Sequence, residues 1–255
     1  MLLAADIGNT NIVFGLFDKG GKLVKTLRLQ TKRNASVKYY ETFFKKNKLD
    51  KIKFTSVIVS SVVPQTKKNF AEFCVKKLKL KPFEVADNLQ KLGIKIKIKN
   101  PEEVGADRVV NAIAFFKKYK RAGVIIDFGT ATTFDVVDST GNYLGGMISP
   151  GVNLAVAALS AAAAKLPKVN ISRPKKPIGK TTVDAMQAGI YFGYLGLIEH
   201  SVKEIASELG KKPYTIATGG LARFFADSKA IDAVEENLTL NGLFIINQRR
   251  ANKKI

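Results

Sequence analysis

Two short segments place a carboxylate and a glycine at the end of an apolar run. Asp6-Ile7-Gly8-Asn9-Thr10 follows Leu2 to Ala5, and Asp127-Phe128-Gly129-Thr130-Ala131-Thr132 follows Val124 to Ile126. In each case a second apolar stretch returns and is closed by turn residues, Asp18-Lys19-Gly20-Gly21 or Asp138-Ser139-Thr140-Gly141. The pattern predicts one β-hairpin used twice, at residues 6–24 and 127–144, with an Asp at each tip. Gly8 and Gly129 lack a Cβ, so their backbone N–H groups can approach a phosphate. Asp6 can hold Mg2+ or its water, and Thr10 offers a hydroxyl. Two such tips facing each other would clamp a polyphosphate. Asp-x-Gly at a strand end is also ordinary turn chemistry; the recurrence, with each copy opening half of the chain, favours the functional reading.

A third carboxylate has a different setting. Asn100-Pro101-Glu102-Glu103-Val104-Gly105-Ala106-Asp107-Arg108 is a turn feeding the helical pattern Val109, Val110, Ile113, Ala114, Phe116, which puts Asp107 near a helix N-terminus. Two readings stand side by side: a capping carboxylate, or a general base beside the phosphate clamp with Arg108 neutralising an anion. Just upstream, the alternation from Ile94 to Lys99 predicts a half-buried strand with a lysine face.

These groups must be positioned by two halves, 1–121 and 122–255, divided where Lys117 to Arg121 end a helix and Gly123 starts a strand. Each half reads as a strand-rich start followed by helices, an α/β pattern. At 255 residues, 46% hydrophobic and 25% charged, the chain can bury a sizeable core in either half. The basic tail Gln248 to Ile255 is the one segment whose composition suggests disorder. One Cys and no Trp exclude a disulfide framework and a Cys-based metal site, which points to a reducing, cytoplasmic compartment with Cys74 as a core thiol. No signal peptide or anchor is read at the N-terminus, where Asp6 interrupts the apolar run.

The longest uncharged stretch, Ser139 to Ala164, is broken by Gly, Asn and Pro in its first half and fails as a membrane span. What remains, Leu154 to Ala164, predicts an Ala-rich helix started by Pro150-Gly151 and buried at a domain or subunit contact. The formal net charge is +21, with 42 basic residues of which eight are Arg. The lysines are scattered without interleaved aromatics, so solvated lysines are favoured over a nucleic-acid footprint, which stays a minority option; the field still attracts anionic substrates.

Gly179-Lys180-Thr181-Thr182 imitates the end of a P-loop. The upstream glycine would fall at Pro174 in a segment that is no strand, so that motif is rejected. Thr181 with Asp184 predicts a capping box opening a long helix through Ile205. Tyr214 to Ala217 predicts a buried strand and Thr218-Gly219-Gly220 a turn before a helix beginning at Leu221; that turn could admit a flat base or simply be a turn. His200, the sole histidine, sits within the long helix as a packed or surface residue.

In order along nearly the whole chain, the Asp6 to Thr10 hairpin, Gly105 to Arg108, Asp127 to Thr132, Gly145-Gly146 with Pro150-Gly151, Lys165-Leu166-Pro167, Gly179-Lys180 with Ala185-Met186-Gln187, and Thr218-Gly219-Gly220 together resemble type III pantothenate kinases. The first hairpin alone resembles only the wider superfamily of acetate kinase, sugar kinases, heat-shock chaperones and actin. The resemblance implies a duplicated ribonuclease H-like (actin-like ATPase) fold with two halves around an ATP cleft. It implies ATP-dependent phosphorylation of pantothenate, the entry step of coenzyme A synthesis, by a cytoplasmic homodimer needing Mg2+ and a monovalent cation, K+ or NH4+.

By position, the resemblance assigns Asp6, Ile7, Gly8, Asn9, Thr10, Asn11, Ile12 and Val13 to ATP phosphates and Mg2+, with Thr130 on the opposite tip and Asp127 on the monovalent cation. It assigns Gly105, Ala106, Asp107 and Arg108 to pantothenate, Asp107 taking the proton of the primary hydroxyl, and Thr182 to the substrate of the neighbouring subunit. Ile98 stands where these kinases usually carry a Tyr contacting pantothenate, and Thr181 where an Asn is frequent. Two alternatives remain at this point: a related kinase with another hydroxyl substrate, and a basic regulatory protein accessory to transcription.

Overall fold

A computed structural model describes residues 1–163 and 166–252. The last residue of the expected Ala-rich helix, Ala164, the Lys165 of the Lys-Leu-Pro motif and the end of the basic tail lie outside the described residues. In chain order the elements are β1 (Leu2–Ile7), β2 (Asn11–Phe17), β3 (Leu23–Gln30), α1 (Val37–Lys46), β4 (Ser56–Ser61), α2 (Pro64–Phe73), β5 (Phe83–Glu84) and α3 (Ala106–Tyr119). There follow β6 (Gly123–Phe128), β7 (Ala131–Val137), β8 (Tyr143–Pro150), α4 (Val152–Ala162), α5 (Thr182–Glu208), β9 (Tyr214–Gly219), β10 (Ala233–Val234) and α6 (Leu238–Ala251).

The two sheets have one topology. The first runs β3-β2-β1-β4-β5 and the second β8-β7-β6-β9-β10. In both, the first strand of the hairpin pairs antiparallel with its return and parallel with the strand after the helices. The correspondence extends to single residues: β1 and β6 share one sequence of buried and half-buried positions, interrupted only at Asp6 and Asp127, and β2 and β7 share another. Central strands covered on both faces require near-continuous apolar runs. A single carboxylate at the penultimate position of each strand is therefore the exception that the pattern isolates.

The chain forms two compact units, residues 1–120, 141–143 and 237 onward in one, and 121–140 with 144–236 in the other. The C-terminal helix α6 thus belongs to the first unit, whereas a division by sequence order puts it in the half 122–255. The reason is close packing within that unit. A Cβ at Gly242 would stand 2.4 Å from the Val110 carbonyl oxygen, so α6 and α3 approach backbone to backbone. The Thr239 hydroxyl donates to Asn111 Oδ1 at 2.8 Å, Phe244 stacks on Phe17 with centroids 4.8 Å apart, and Arg249 donates to the Leu92 carbonyl at 2.7 Å.

One face of the first sheet carries Leu3, Ala5, Ile7, Val57 and Val59 against Tyr40, Phe44, Phe70, Phe73 and the buried Cys74 of the α1 and α2 region. The thiol is a core group as expected, and burial pushes its pKa up. Each aromatic pair in this cluster contributes about 0.5–1.5 kcal/mol beyond its buried area. In the second unit Tyr191, Tyr194 and Ile198 of α5 and Phe225 cover Val124, Ile126 and Phe128.

Three local expectations change. Residues 94–99 keep the predicted alternation of half-buried isoleucines and exposed lysines but form no strand; Ile96 makes a single parallel bridge to Tyr143, because only Lys95 and Lys97 find backbone partners there. The segment after Gly220 is a four-residue 3-10 turn, Ala222–Phe225, which suffices to bury Ala222 and Phe225 three residues apart. Of the basic tail, Gln248 to Ala251 continue α6, held by Arg249.

Candidate functional site

At the first tip, Ile7 and Ile12 are the last paired residues, and the Gly8 N–H donates to the Asn11 carbonyl at 3.0 Å, leaving Asn9 and Thr10 as an exposed two-residue loop. Thr31 braces this loop from the end of β3: its hydroxyl donates to the Gly8 carbonyl at 2.7 Å and its N–H to the Thr10 carbonyl at 2.9 Å. A Cβ on Gly8 would lie 3.2 Å from the Asn11 carbonyl oxygen, tight enough to favour glycine. Asp6 is half-buried, opposite Val13 on one side and Ser60 on the other. Ile7 and Ile12 are fully buried, so they support the tip and cannot themselves meet a ligand through their side chains.

The second tip is one residue tighter. The Gly129 N–H donates to the Ala131 carbonyl at 3.0 Å, Thr130 is exposed at the turn, and its carbonyl accepts the Gly151 N–H at 3.0 Å. Asp127 lies opposite Thr133 and Thr218. Its carboxylate is crowded from the end of β9: a Cβ at Gly219 would come within 2.5 Å of Asp127 Oδ1 and 2.7 Å of the Phe128 backbone, and Gly219 has φ +88°. Only glycine satisfies both demands. The Thr218-Gly219-Gly220 turn thus shapes the surroundings of Asp127.

Gly105 is the N-cap of α3, and Asp107 stands in the first turn. Asp107 does not cap through its side chain onto the preceding backbone. Its Oδ1 accepts the Arg108 N–H at 2.9 Å, and a Cβ at Gly105 would meet that same oxygen at 2.5 Å. Gly105 therefore makes room for the carboxylate. Burial raises the Asp107 pKa, opposed by the Arg108 N–H and the nearby guanidinium. Arg108 lies with Cζ 5.7 Å from the Tyr143 ring centroid. Tyr143 in turn exchanges backbone hydrogen bonds with Lys95 and Lys97, at 2.9 and 2.8 Å, which ties the segment bearing half-buried Ile98 to the residue that packs Arg108.

Thr182 is the exposed first residue of α5, placed by Thr181, whose hydroxyl accepts the Asp184 N–H at 3.1 Å. The predicted capping box is present in that form. His200 lies on the exposed face of α5 with Nδ1 3.8 Å from Glu204. Sequence reasoning singled out neither Tyr143 nor Ser60, and it read Gly219 as part of a turn without its approach to Asp127. Ser60 ends an apolar run parallel to that of Asp6, and an aromatic two residues after a hairpin turn was the available signal for Tyr143.

Among the described residues, no group of three or more His, Cys, Asp or Glu is assembled for a metal, and no helix is long and apolar enough to cross a membrane. Mg2+ in kinases is commonly held by one or two carboxylates together with substrate phosphates. A single half-buried carboxylate, Asp6, next to the exposed loop residues Asn9 and Thr10 fits that donor set; among the described residues no protein-only metal cage is assembled.

Solved structures with similar folds include a Baf family transcriptional activator from Campylobacter jejuni, with TM-score 0.61 and 21% identity over 98% of this chain and 99% of that one. Another is a 2-dehydro-3-deoxygalactonokinase protein from Sinorhizobium meliloti, with TM-score 0.59 and 11% identity over 99% of each chain. Such likeness speaks to the fold, a duplicated ribonuclease H-like α/β architecture shared with actin-like kinases and ATPases. The type III pantothenate kinase family model matches residues 2–204. The type III pantothenate kinase of Paramagnetospirillum magneticum is 47% identical over 98% of both chains, and that of a Geobacter species (strain M21) 46% identical over 98% of this chain and 99% of its own. This chain belongs to the type III pantothenate kinase family, and its activity is the ATP-dependent phosphorylation of pantothenate in coenzyme A synthesis.

Proposed function

We propose that Asp107 is the general base of this kinase, accepting the proton of the pantothenate primary hydroxyl while Gly105, Ala106 and Arg108 hold the substrate. The observation that carries the assignment is the carboxylate in the first turn of α3, given space by Gly105 and with its pKa raised by burial. A raised pKa moves a carboxylate toward the operating pH, where proton transfer is better matched. Arg108 supplies the positive charge for the substrate carboxylate. Phosphoryl transfer through a loose transition state asks chiefly for alignment and charge neutralisation, so Asp107 need not be strongly basic.

In the same reading, the loop from Asp6 to Val13 and the Thr130 hydroxyl bind the ATP phosphates, with Asp6 as the carboxylate for Mg2+ and Asp127 for K+ or NH4+. Bound Mg2+ would neutralise charge on the transferred phosphoryl group. The chain's own contribution is the rigid turn: Gly8 and Thr31 fix Asn9 and Thr10 outward, and Gly219 fixes Asp127.

A cytoplasmic homodimer completes the proposal, with Thr182 reaching the partner subunit's substrate. What supports it is a set of exposed apolar side chains in the second unit: Ile148 is 65% exposed, Leu154 50%, Val183 40% and Phe192 36%. On α5, a Cβ at Gly189, Gly193 or Gly196 would meet nothing within 4 Å, leaving a small-residue face open to close helix packing. The Ala-rich helix expected at a contact, α4, carries the exposed Leu154 and Leu159. The deciding experiment is a coupled ADP assay with ATP, Mg2+ and K+, with and without pantothenate, alongside sedimentation of the pure protein. ADP released only with pantothenate, from a dimer, supports the assignment; a monomer of full activity removes Thr182 from it.

A further inference from the structure

The sheet face opposite the aromatic core of the first unit carries Leu2, Ala4 and Asp6 on β1 and Ile58 and Ser60 on β4, and α3 and α6 cover it. At its carboxyl edge Ser60 is directly beside Asp6 in the parallel register, so both side chains rise from the same face. Ser60 is fully buried, and its hydroxyl meets no hydrogen-bond partner among the described residues. A buried hydroxyl left unpaired costs about 1–3 kcal/mol, so a partner is expected in the working protein.

The second unit shows what a purely structural hydroxyl does at this register. Thr218 stands beside Asp127 as Ser60 stands beside Asp6, and its hydroxyl donates to the Glu235 carbonyl at 2.7 Å. The backbone that offers this carbonyl is repeated in the first unit: the Val85 N–H binds the Val59 carbonyl at 2.9 Å as the Glu235 N–H binds that of Ala217 at 2.8 Å. Ser60 makes no such bond. The duplicated scaffold offers a structural use for this hydroxyl, and only one copy takes it.

We propose that Ser60 is a positioning residue for Asp6, its hydroxyl donating to the carboxylate oxygen turned away from the metal when the magnesium nucleotide binds. The inference rests on the reading of Asp6 as the Mg2+ carboxylate. Groups that orient a metal-binding carboxylate are typically worth 10- to 100-fold in metal affinity.

The test is calorimetric titration of Mg2+ into the full-length protein saturated with a non-hydrolysable ATP analogue, for the parent, Ser60→Ala and Asp6→Asn. Ser60→Ala should weaken Mg2+ by about tenfold, leave pantothenate affinity unchanged, and melt no lower than the parent without ligands, because it removes an unpaired buried group. Parental Mg2+ affinity in Ser60→Ala together with a lower melting temperature would assign the hydroxyl to structure and overturn the proposal. Asp6→Asn separates the two levels: parental affinity in that variant sinks the metal reading of Asp6, whereas weak binding there with parental binding in Ser60→Ala sinks only the role of Ser60.

Discussion

The two hairpin tips are built on strands that match in register and burial residue for residue, yet their ends diverge. The first has an exposed two-residue loop, Asn9-Thr10, tied down by a side chain, Thr31; the second has a one-residue turn at Thr130, tied down by backbone from Gly151. Beside Asp6 stands a serine whose hydroxyl is uncommitted within the described residues, and beside Asp127 a threonine already bonded and a glycine pressed against the carboxylate. A duplicated scaffold conserves what holds a strand in a sheet, because every slip would turn the buried face outward. It is free to vary the last residue or two. In the proposed reading, the tip with the longer loop takes the ligand that arrives with its own phosphates and metal, and the tip whose carboxylate is crowded by Gly219 takes the fixed ion.

The largest expected effect lies outside both tips and sets the scale for them. Asp107→Asn should lower kcat by about 10²-fold or more, in line with general-base contributions, with nucleotide affinity retained in a binding titration. Unchanged turnover would take Asp107 out of the mechanism. Asp6→Asn should cost on the order of 10- to 100-fold in kcat/KM at limiting Mg2+, recovered in part by excess metal. Asp127→Asn should behave differently: rates in K+ should fall to those in a bulky organic cation, with the Mg2+ dependence unaltered. If the two substitutions gave the same ion profile, the division of labour between the tips would be wrong.

Stability separates the tips as well. Gly219→Ala meets both a positive φ and the Asp127 carboxylate and should cost about 1–3 kcal/mol, read as a fall in Tm. Gly8→Ala, with only the Asn11 carbonyl at 3.2 Å, should cost less than Gly219→Ala in the same melts. The smallest effect is in pH. Burial raises the Asp107 pKa, so the folded value exceeds the unfolded one and the folded state binds that proton more tightly. Its contribution to stability is full below the unfolded value, near 4, and is lost as pH rises through the folded value. Asp107→Asn should therefore melt slightly above the parent at neutral pH, with the difference vanishing in acid. A difference that persists at low pH would point to packing instead of charge.

Most of what places the site was legible in local sequence. The hairpins announced themselves by an Asp interrupting an apolar run, α3 by the periodicity after Gly105, and α5 by Thr181 and Asp184. What escaped depends on neighbours distant in the chain. The crowding of Asp127 by Gly219 spans 92 positions of sequence, and nothing in Thr-Gly-Gly reveals which strand end it will press against. Ser60 is one of many serines until the parallel register sets it beside Asp6. The lysine-rich alternation at 94–99 carried the right faces but could not reveal that only one bridge would form.

Because α6 packs into the unit that also contains the first residue, the two units mature in an unusual order on a ribosome. Units generally fold as wholes, the N-terminal one first. Here the unit begun first lacks its closing helix until residues 238–251 emerge, while the other is already complete at residue 236. A nascent kinase cut short before Leu238 would leave the α3 surface around Val110 and Asn111 bare, so premature termination late in synthesis damages the oldest part of the molecule and spares the newest.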